Sequence, residues 1–473
     1  MIQIETRSID YVPAAERHGQ AWHLWPVWFA SGTQLATVAT GVIGIALGAD
    51  LLWTGIAILT GCTLGTFFMA FHAAQGPQLG LPQMIQSRPQ FGYLGALLVW
   101  IIALTSYLGY NAFNEALAGD TAYRLAGWPA GPAGTAFTVI ALGISVIGYD
   151  LIHTAQRWLS YVLVAVLSVF TIGASAHLHF GAAAWGRAPF PRVAFLTQFF
   201  AAAAYQLSGA FYVSDYSRYL PRTVGIRAPF FWTYVGAFAG SAWTMLIGAL
   251  AASLHPELSI AGALQAAGDS VRPGYGNVLL GVSLIGLLTM ASLNFYGASL
   301  TALSVLDSLS PVRATRAVRI VSLLLIGAVT HGLAQAIGGR FVQGFSGLLA
   351  ILLLLFTPWT AVNLVDFYFV RKSRYSIREI FNPRGLYGRW NWRGLCAYGI
   401  GFAAMLPFVH TQLYEGPVAR LLEGTDLSML VGLVVASGIY LWSHRRFDLD
   451  REWAHALRAD DGLDAKICPE TCR

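Results

Sequence analysis

Charge is scarce in this chain. Of 473 residues only 11% are Asp, Glu, Lys or Arg, where a soluble domain carries roughly a quarter. So little charge cannot cover a globular surface of this size, which excludes an ordinary soluble fold. Cysteine is scarce as well, with Cys62, Cys396, Cys468 and Cys472 alone. Cys468 and Cys472 stand in a C-terminal C-P-E-T-C. That spacing suits a metal or a bridge, but two thiols without a nearby His are weak evidence, and they read as reduced cytosolic thiols. No H-E-x-x-H, Walker A loop or nucleophile elbow is present. A membrane protease, an ATP-driven pump and an α/β-hydrolase therefore lack support. The reading is no enzyme and no cofactor, and any transport would draw on an ion gradient. No cleavable signal peptide is seen: the start stays polar up to Ala21, and no short apolar core precedes a small-residue cleavage site.

What is there is apolar: 56% of the residues are hydrophobic and 50 are glycine. In lipid every backbone polar group must be satisfied within the protein, so helices or a closed barrel remain. The apolar runs approach the length of about 20 residues that a spanning helix needs, rather than the roughly ten alternating residues of a barrel strand. The expected fold class is an all-α membrane protein. Twelve apolar stretches are counted, at about 25–48, 51–74, 93–117, 134–149, 156–176, 194–214, 228–254, 277–306, 317–337, 341–370, 395–410 and 427–442.

Orientation follows from the basic residues. With the start inside, inner loops hold Arg88, Arg157, Arg218, Arg222, Arg227, Arg313, Arg316, Arg319, Arg371, Lys372, Arg374, Arg378, Arg384, Arg389 and Arg393. Outer loops hold Arg124, Arg187, Arg192, Arg272, Arg340 and Arg420. That bias, about fifteen against six, fits twelve spans with both termini cytoplasmic. Arg7 and Arg17 at one end and Arg445, Arg446 and Arg451 at the other agree with it; the Arg187/Arg192 loop is the exception. The same bias accounts for the net charge of +6 without nucleic acid. The partner is a lipid bilayer, and the expected location is the cell inner membrane. The longest polar stretch, 371–393, reads as a basic cytoplasmic loop lying on the headgroups.

Three groups of residues could carry chemistry. Ser31-Gly32-Thr33-Gln34 in the first stretch and Tyr205-Gln206-Leu207-Ser208-Gly209 in the sixth each put glycine beside polar residues inside an apolar run. Paired interruptions in two halves of a chain point to a transport site near the midplane, although Gly and Ser also serve ordinary helix packing. In the third stretch Tyr107, Tyr110, Asn111 and Asn114 share one helical face. Two Asn side chains facing lipid would be costly, so that face meets protein or a cavity. A ring beside amides suits a flat polar ligand, and an interhelical hydrogen-bond cluster is the competing reading. In the eighth stretch Thr289, Ser292, Tyr296 and Ser299 align, with Asn294 on another face. Their hydroxyls suit Na⁺, yet Ser and Thr also bond their own helix backbone. Glu115 follows the stripe of the third stretch. It is a possible proton site, and an interfacial position in water is the preferred reading. His331 reads as structural.

Four strings taken together resemble a known family. They are Gly80-Leu-Pro-Gln-Met-Ile-Gln-Ser-Arg-Pro-Gln-Phe-Gly92, Ser214-Asp-Tyr-Ser-Arg-Tyr-Leu-Pro221, Asn294-Phe-Tyr-Gly297 and Val365-Asp-Phe-Tyr-Phe-Val-Arg-Lys372. The chain resembles the nucleobase–cation symporter family 1, in its purine–cytosine permease branch, over nearly its whole length. The resemblance implies a leucine-transporter-type fold with two inverted repeats of five helices, 25–176 and 194–370. Two peripheral helices at 395–442 would follow, with tails at 1–24 and 443–473 and the loop at 371–394. It further implies a flat heterocycle held between helices one, three, six and eight, with Na⁺ or H⁺ driving uptake.

Counting from the strings, the family's helix-three glutamine falls on Tyr107 and its stacking aromatic on Tyr110, followed by Asn111. Its helix-six aromatic falls on Gln206, between Tyr205 and Ser208, so one expected ring is an amide here. The first break supplies carbonyls from Ser31 to Gln34 for a cation and the Gln34 amide for the ligand. For Na⁺, the family's adjacent hydroxyl pair falls on Ser292 and Leu293 if Asn294 sets the register, or on Thr289 and Met290 if Tyr296 does; either way one hydroxyl is missing. The expected substrate residues are thus Gln34, Tyr107, Tyr110, Asn111, Tyr205, Gln206, Ser208 and Asn294, and the expected Na⁺ ligands Ser31, Gln34, Thr289 and Ser292. The expected function is cation-coupled import of a nucleobase by alternating access. The alternatives are a hydantoin, allantoin or vitamin-like cargo, or a channel or membrane sensor.

Overall fold

The computed structural model describes residues 10–147, 149–177, 189–310, 315–338, 340–411 and 414–463. Arg7, Arg187, Arg313, Cys468 and Cys472 lie outside the described residues. The described chain is helical, with a single isolated β-bridge between His410 and Glu415. The first apolar stretch is three helices, α1 Leu24–Gly32, α2 Leu35–Gly41 and α3 Ile43–Ala46. Then come α4 Leu51–Ala73, the short α5 Gln75–Leu79 and α6 Arg88–Phe91, α7 Leu97–Ala126, α8 Ala130–Ile147 and α9 Tyr149–His177. The sixth stretch divides into α10 Arg192–Leu207 and α11 Val213–Ser217. After it run α12 Arg227–Leu254, α13 Ile260–Val271, α14 Tyr275–Leu309, α15 Arg316–Ile337 and α16 Phe341–Val365. The chain ends with α17 Ile377–Ile380, α18 Trp392–Met405, α19 Pro417–Leu421, α20 Ser428–Ser443 and α21 Leu449–Ala459.

Each of the twelve expected stretches coincides with helix. Among the described residues, six helical runs are long and apolar enough to cross a membrane by length and composition: Leu51–Leu79, Leu97–Ala126, Arg227–Leu254, Tyr275–Leu309, Arg316–Ile337 and Phe341–Val370. Ala130–Val146, Tyr161–Ala174 and Ser428–Ser443 are shorter apolar helices. Apolar side chains cover the outside: Val321, Leu324, Leu325 and Val329 of α15 are exposed, as are Ile101, Val139 and Val434. A soluble monomer rarely shows such a surface; lipid makes it favourable. The interior holds Trp359, Phe211, Phe295, Phe345 and Phe356, all fully buried.

Two glycines set how closely the central helices approach. A Cβ on Gly32 would stand 2.6 Å from the Ser241 amide nitrogen, so α1 rests directly on α12. A Cβ on Gly297 would stand 2.8 Å from Tyr107 Cζ, so α14 receives the α7 ring there. Close backbone contact through small residues is how membrane helices gain packing where lipid supplies no hydrophobic drive.

Three of the four strings that carried the resemblance meet at one end of the molecule; the remaining one, 294–297, lies mid-way along α14. Asp215 accepts from the Gln83 amide at 2.9 Å, and Gln83 Nε2 reaches His72 Nδ1 at 3.1 Å. Gln75 donates to Asn363 at 2.8 Å and Gln90 to Asp366 at 2.7 Å. α16 carries Pro358 inside it and continues as a π-helical turn, Asp366–Val370. Here Asp366, fully buried, takes hydrogen bonds from Gln90, Tyr375 and Tyr440 and a 2.6 Å ion pair from Arg371. Burial alone would lower the Arg371 guanidinium, but Asp366 and then Tyr440 and Glu452 hold it well above its ordinary value. Glu452 of α21 completes the pair at 2.7 Å, and Asp460 caps α17 by accepting from the Ile377 and Arg378 amides. The start of the chain lies on this face too, with the Val12 amide bonded to the Gly80 carbonyl at 2.9 Å and Arg17 to that of Pro77. Both described ends of the chain therefore sit on one side, as an even number of crossings requires.

Candidate functional site

The two divided stretches face one another across a cavity of about 70 Å³, several times the space that one ordered water needs. At the first break, Thr33 (φ −96°, ψ 78°) and Gln34 (φ −149°, ψ 164°) leave helical geometry, and α2 restarts after them. At the second, residues 208–212 form turns between α10 and α11. The middle of α7 passes beside both, since its midpoint falls between Asn111 and Ala112, and α14 closes the fourth side.

Ser31, Gln34, Tyr107, Tyr110, Tyr205, Gln206, Ser208 and Asn294 all line this cavity. Several are already engaged. Gln34 Nε2 donates to the Ser31 carbonyl and to the Tyr205 hydroxyl, both at 3.0 Å, which leaves its Oε1 for a ligand. Gln206 Nε2 bonds Thr66 Oγ1 and the Ala237 carbonyl, so it ties α10 to α4 and α12 and offers only Oε1. Ser208 donates to the Tyr205 carbonyl at 2.7 Å and accepts from Tyr110 at 2.8 Å. With Tyr205 set edge-on at 6.0 Å, that bond fixes the Tyr110 ring across the space between the breaks.

Asn111 does not line the cavity. Its Nδ2 donates to the Ala291 carbonyl at 3.1 Å and its Oδ1 accepts from Asn294 Nδ2 at 3.0 Å. It joins α7 to α14 and orients Asn294, which does reach the cavity. On α7, Tyr107, Tyr110 and Asn114 thus line the cavity, and Asn111 makes the interhelical bond beside it.

Two lining residues outside the expected set have the chemistry of ligand contacts. Asn114 Oδ1 and Trp28 Nε1 are buried and have no hydrogen-bond partner in the protein. One is an acceptor and the other a donor, and leaving such groups unpaired costs about 1–3 kcal/mol each. Asn114 was visible on the shared face of the third stretch. Trp28 lies one turn before the glycine at the first break, the signal that would have found it.

The four expected Na⁺ ligands separate. A smaller cavity of about 20 Å³ lies between the first break and α14, lined by Ala30, Ser31, Thr33, Gln34, Gly286, Thr289 and Met290 with Leu159 and Leu163 of α9. Ser31, Gln34 and Thr289 share it. Ser292 does not: its hydroxyl bonds the Leu288 carbonyl, and its own carbonyl accepts from Ser145 of α8. Thr289 is therefore the α14 hydroxyl at this cavity; it bonds the Gly286 carbonyl at 2.9 Å, and Met290 lines the cavity beside it.

Glu115 is not at a watery interface. α7 continues to Ala126, well past the expected end near residue 117, so Glu115 sits deep in the span and only 2% exposed. It accepts from Thr138 at 2.7 Å and faces His331 Nδ1 at 2.7 Å.

Comparison with known proteins decides the family. The model of a family described as permeases for cytosine/purines, uracil, thiamine and allantoin matches residues 11–432. The chain belongs to this family. It is a permease, a multi-pass membrane protein rather than an enzyme. This permease is 35% identical over 442 residues to a putative purine-cytosine permease, YxlA, of Bacillus subtilis, covering 93% of the chain and 95% of the relative. It is 24% identical over 466 residues to the purine-cytosine permease fcyB of Emericella nidulans, covering 93% and 88%. The inward-facing structure of Mhp1 aligns with a TM-score of 0.75 at 19% identity over 95% of this chain and 97% of that one. Mhp1, a nucleobase-cation-symport-1 family transporter, in a closed conformation with bromovinylhydantoin bound, aligns at 0.73 and 18% over 97% and 99%. The permease thus has the leucine-transporter-type fold that the four strings implied.

Proposed function

We propose that this permease imports a nucleobase, cytosine or a purine-like flat heterocycle, by cation-coupled alternating access. It does so from the inner membrane, with both ends of the chain in the cytoplasm. The observation that carries the reading is the cavity between the two broken helices. It has a fixed Tyr110 ring, amide oxygens of Gln34 and Gln206, and an unpaired acceptor and donor at Asn114 and Trp28. Such a set recognises a planar molecule with both N–H and C=O on its edge: the ring stacks, and the edge groups pair. The substrates named for the family and for the two relatives agree with that chemistry. The Arg-rich loops lie on the face that holds both ends of the chain, which supports the cytoplasmic placement.

The coupling ion is Na⁺ or H⁺. The small cavity at Thr289 is the candidate Na⁺ site, with carbonyls from the first break and one hydroxyl from α14. Uptake of labelled cytosine, adenine, uracil and allantoin into proteoliposomes tests the reading. Saturable uptake of at least one, under an ion gradient, is expected. No saturable uptake of any of them under any gradient sinks it. A thermal-shift panel that includes hydantoins and vitamin-like heterocycles separates the cargo classes.

A further inference from the structure

One buried ionisable pair plays no part in the ligand cavity. Glu115 directly follows the cavity-lining Asn114 on α7. Its Oε2 accepts from Thr138 of α8, its Oε1 lies 2.7 Å from His331 Nδ1 of α15, and Gly134 of α8 packs on its stem. Glu115 stands about 5 Å beyond the midpoint of α7, and His331 about 7 Å beyond that of α15. Both helices run the same way, so the pair occupies the half of the membrane away from the face with the chain's two ends.

The surroundings offer this carboxylate no permanent cation among the described residues. α8 and α16 carry no titratable side chain. On α15, Arg319 lies over Tyr296 of α14 and bonds the Ser145 carbonyl, about 18 Å along the helix from His331. Tyr275 and Asp307 stand near the two ends of α14. On α13, Asp269 accepts from the Gly276 amide; on α7, Asp120 is engaged by Ser259 and Ala261, and Tyr110 by Ser208. Arg124, about 14 Å along α7 from Glu115, donates to Ser259, and Arg316 opens α15 about 22 Å from His331. An ionised carboxylate buried here without a cation costs several kcal/mol. Only an exchangeable proton, on the ring or on the carboxyl, neutralises it.

The contact supports that exchange. With the carboxylate ionised, Nδ1–H donates to Oε1; with the carboxyl protonated, its O–H donates to Nδ1. The Glu115 side chain is 2% exposed and the His331 side chain 38%, so the imidazole stands between the buried oxygen and the lipid-facing surface of α15. If Nε2 takes up a proton while the Nδ1 proton passes to Oε1, the ring stays neutral and the carboxyl becomes protonated. Release reverses both steps.

We propose that Glu115 and His331 form the binding site of the transported proton. Within it His331 holds or passes the proton at Nδ1, and Glu115 is tied to the cargo cavity through its neighbour Asn114. This rests on the transport reading above. The proton adds or removes charge on the residue that joins α7 to α8 and α15. The adjacent Asn114 reaches the cavity and, through Asn111, the Asn294 amide. Charge at Glu115 and occupancy of the cavity thus bear on the same two turns of α7.

Proteoliposomes with labelled cytosine or adenine test this in three arms: exchange without any gradient, an outside-acid pH gradient without Na⁺, and a Na⁺ gradient at equal pH. At one proton per base, a gradient of about one pH unit drives at most about tenfold accumulation. The native permease is expected to accumulate label in the pH arm. E115Q is expected to exchange label but not to concentrate it, and its exchange rate should lose the pH dependence of the native chain. Should E115Q fail to reach the membrane, H331Q carries the same comparison from a partly exposed position. Accumulation by E115Q or H331Q equal to the native protein overturns the proposal, as does native accumulation driven by Na⁺ alone. Exchange without pH drive rejects the proton site and leaves the transport reading standing. No exchange of either base rejects both.

Discussion

Asn114→Ala separates a ligand contact from a structural one. In the native protein Asn114 makes one long bond, 3.4 Å from its Nδ2 to Asn111 Oδ1, and its Oδ1 is buried without a partner. Truncation therefore removes little that holds the fold. It removes a buried acceptor without a protein partner that a ligand N–H would meet at that point. Leaving that N–H unpaired costs about 1–3 kcal/mol, or roughly 5- to 150-fold in Kd. The control is Asn111→Ala on the same helix face. Asn111 bonds the Ala291 carbonyl and Asn294 in addition to Asn114, so its loss should lower both stability and affinity. The assay pairs equilibrium binding of labelled cytosine or adenine in detergent with a thermal unfolding curve for each variant. The expected pattern is weaker binding with an unchanged unfolding temperature for N114A, and losses in both for N111A. Unchanged binding by N114A refutes the reasoning, as does a fall in unfolding temperature equal to that of N111A.

Tyr110→Ala should abolish measurable base binding while the protein still folds, because the ring is a wall of the cavity; retained affinity rejects the stacking role. Trp28→Phe keeps an aromatic ring but loses the unpaired indole N–H, and a fall in affinity of roughly 5-fold or more is expected; no change shows that Nε1 meets no ligand. Thr289→Ala removes the one α14 hydroxyl at the small cavity, and any Na⁺ stimulation of binding should disappear with it; persistence places Na⁺ elsewhere. Asp366→Asn leaves Arg371 buried with Glu452 as its remaining carboxylate, a change worth about 3–5 kcal/mol for a buried pair; an unfolding temperature equal to the native one contradicts the role of that pair.

The architecture was legible because lipid leaves few choices. Runs of apolar residues long enough to span follow from backbone hydrogen bonding in a medium without water. The Arg bias follows from the preference of basic loops for the cytoplasmic side, and the two glycine-bearing interruptions mark breaks that line a cavity. The helix ends were less visible. α7 runs to Ala126 because Asp120 and Arg124 find partners at Ser259, which hydropathy does not register. That extension moved Glu115 from an expected interface to a buried position and brought His331 onto it. At the ligand space the spacing of Tyr107, Tyr110, Asn111 and Asn114 told that they share a face, but not which amides were already spent. Gln206 Nε2 and Asn111 turn out to hold helices together, and Asn114 Oδ1 is left open. The choice between Ser292 and Thr289 depended on the rotation of α14, which no local pattern fixes because both serve equally well as hydroxyls bonded to their own helix.

The clustering of three of the four recognisable strings has a consequence for how such chains diversify. Gln83, Gln90, Asp215 and Asp366 bond to one another or to common partners at the end of the bundle where the chain begins and finishes. Cargo would meet a different set: Trp28, Gln34, Tyr110, Asn114 and Gln206, drawn from α1, the break after it, α7 and α10 near the centre. Three of the four strings that mark the family are thus written in the chassis, and the residues proposed to select cargo in the cabin. A lineage can refit the second for a new passenger while the first stays as it was. Libraries that aim to change what is carried should vary those central positions and leave the polar cluster at the end untouched.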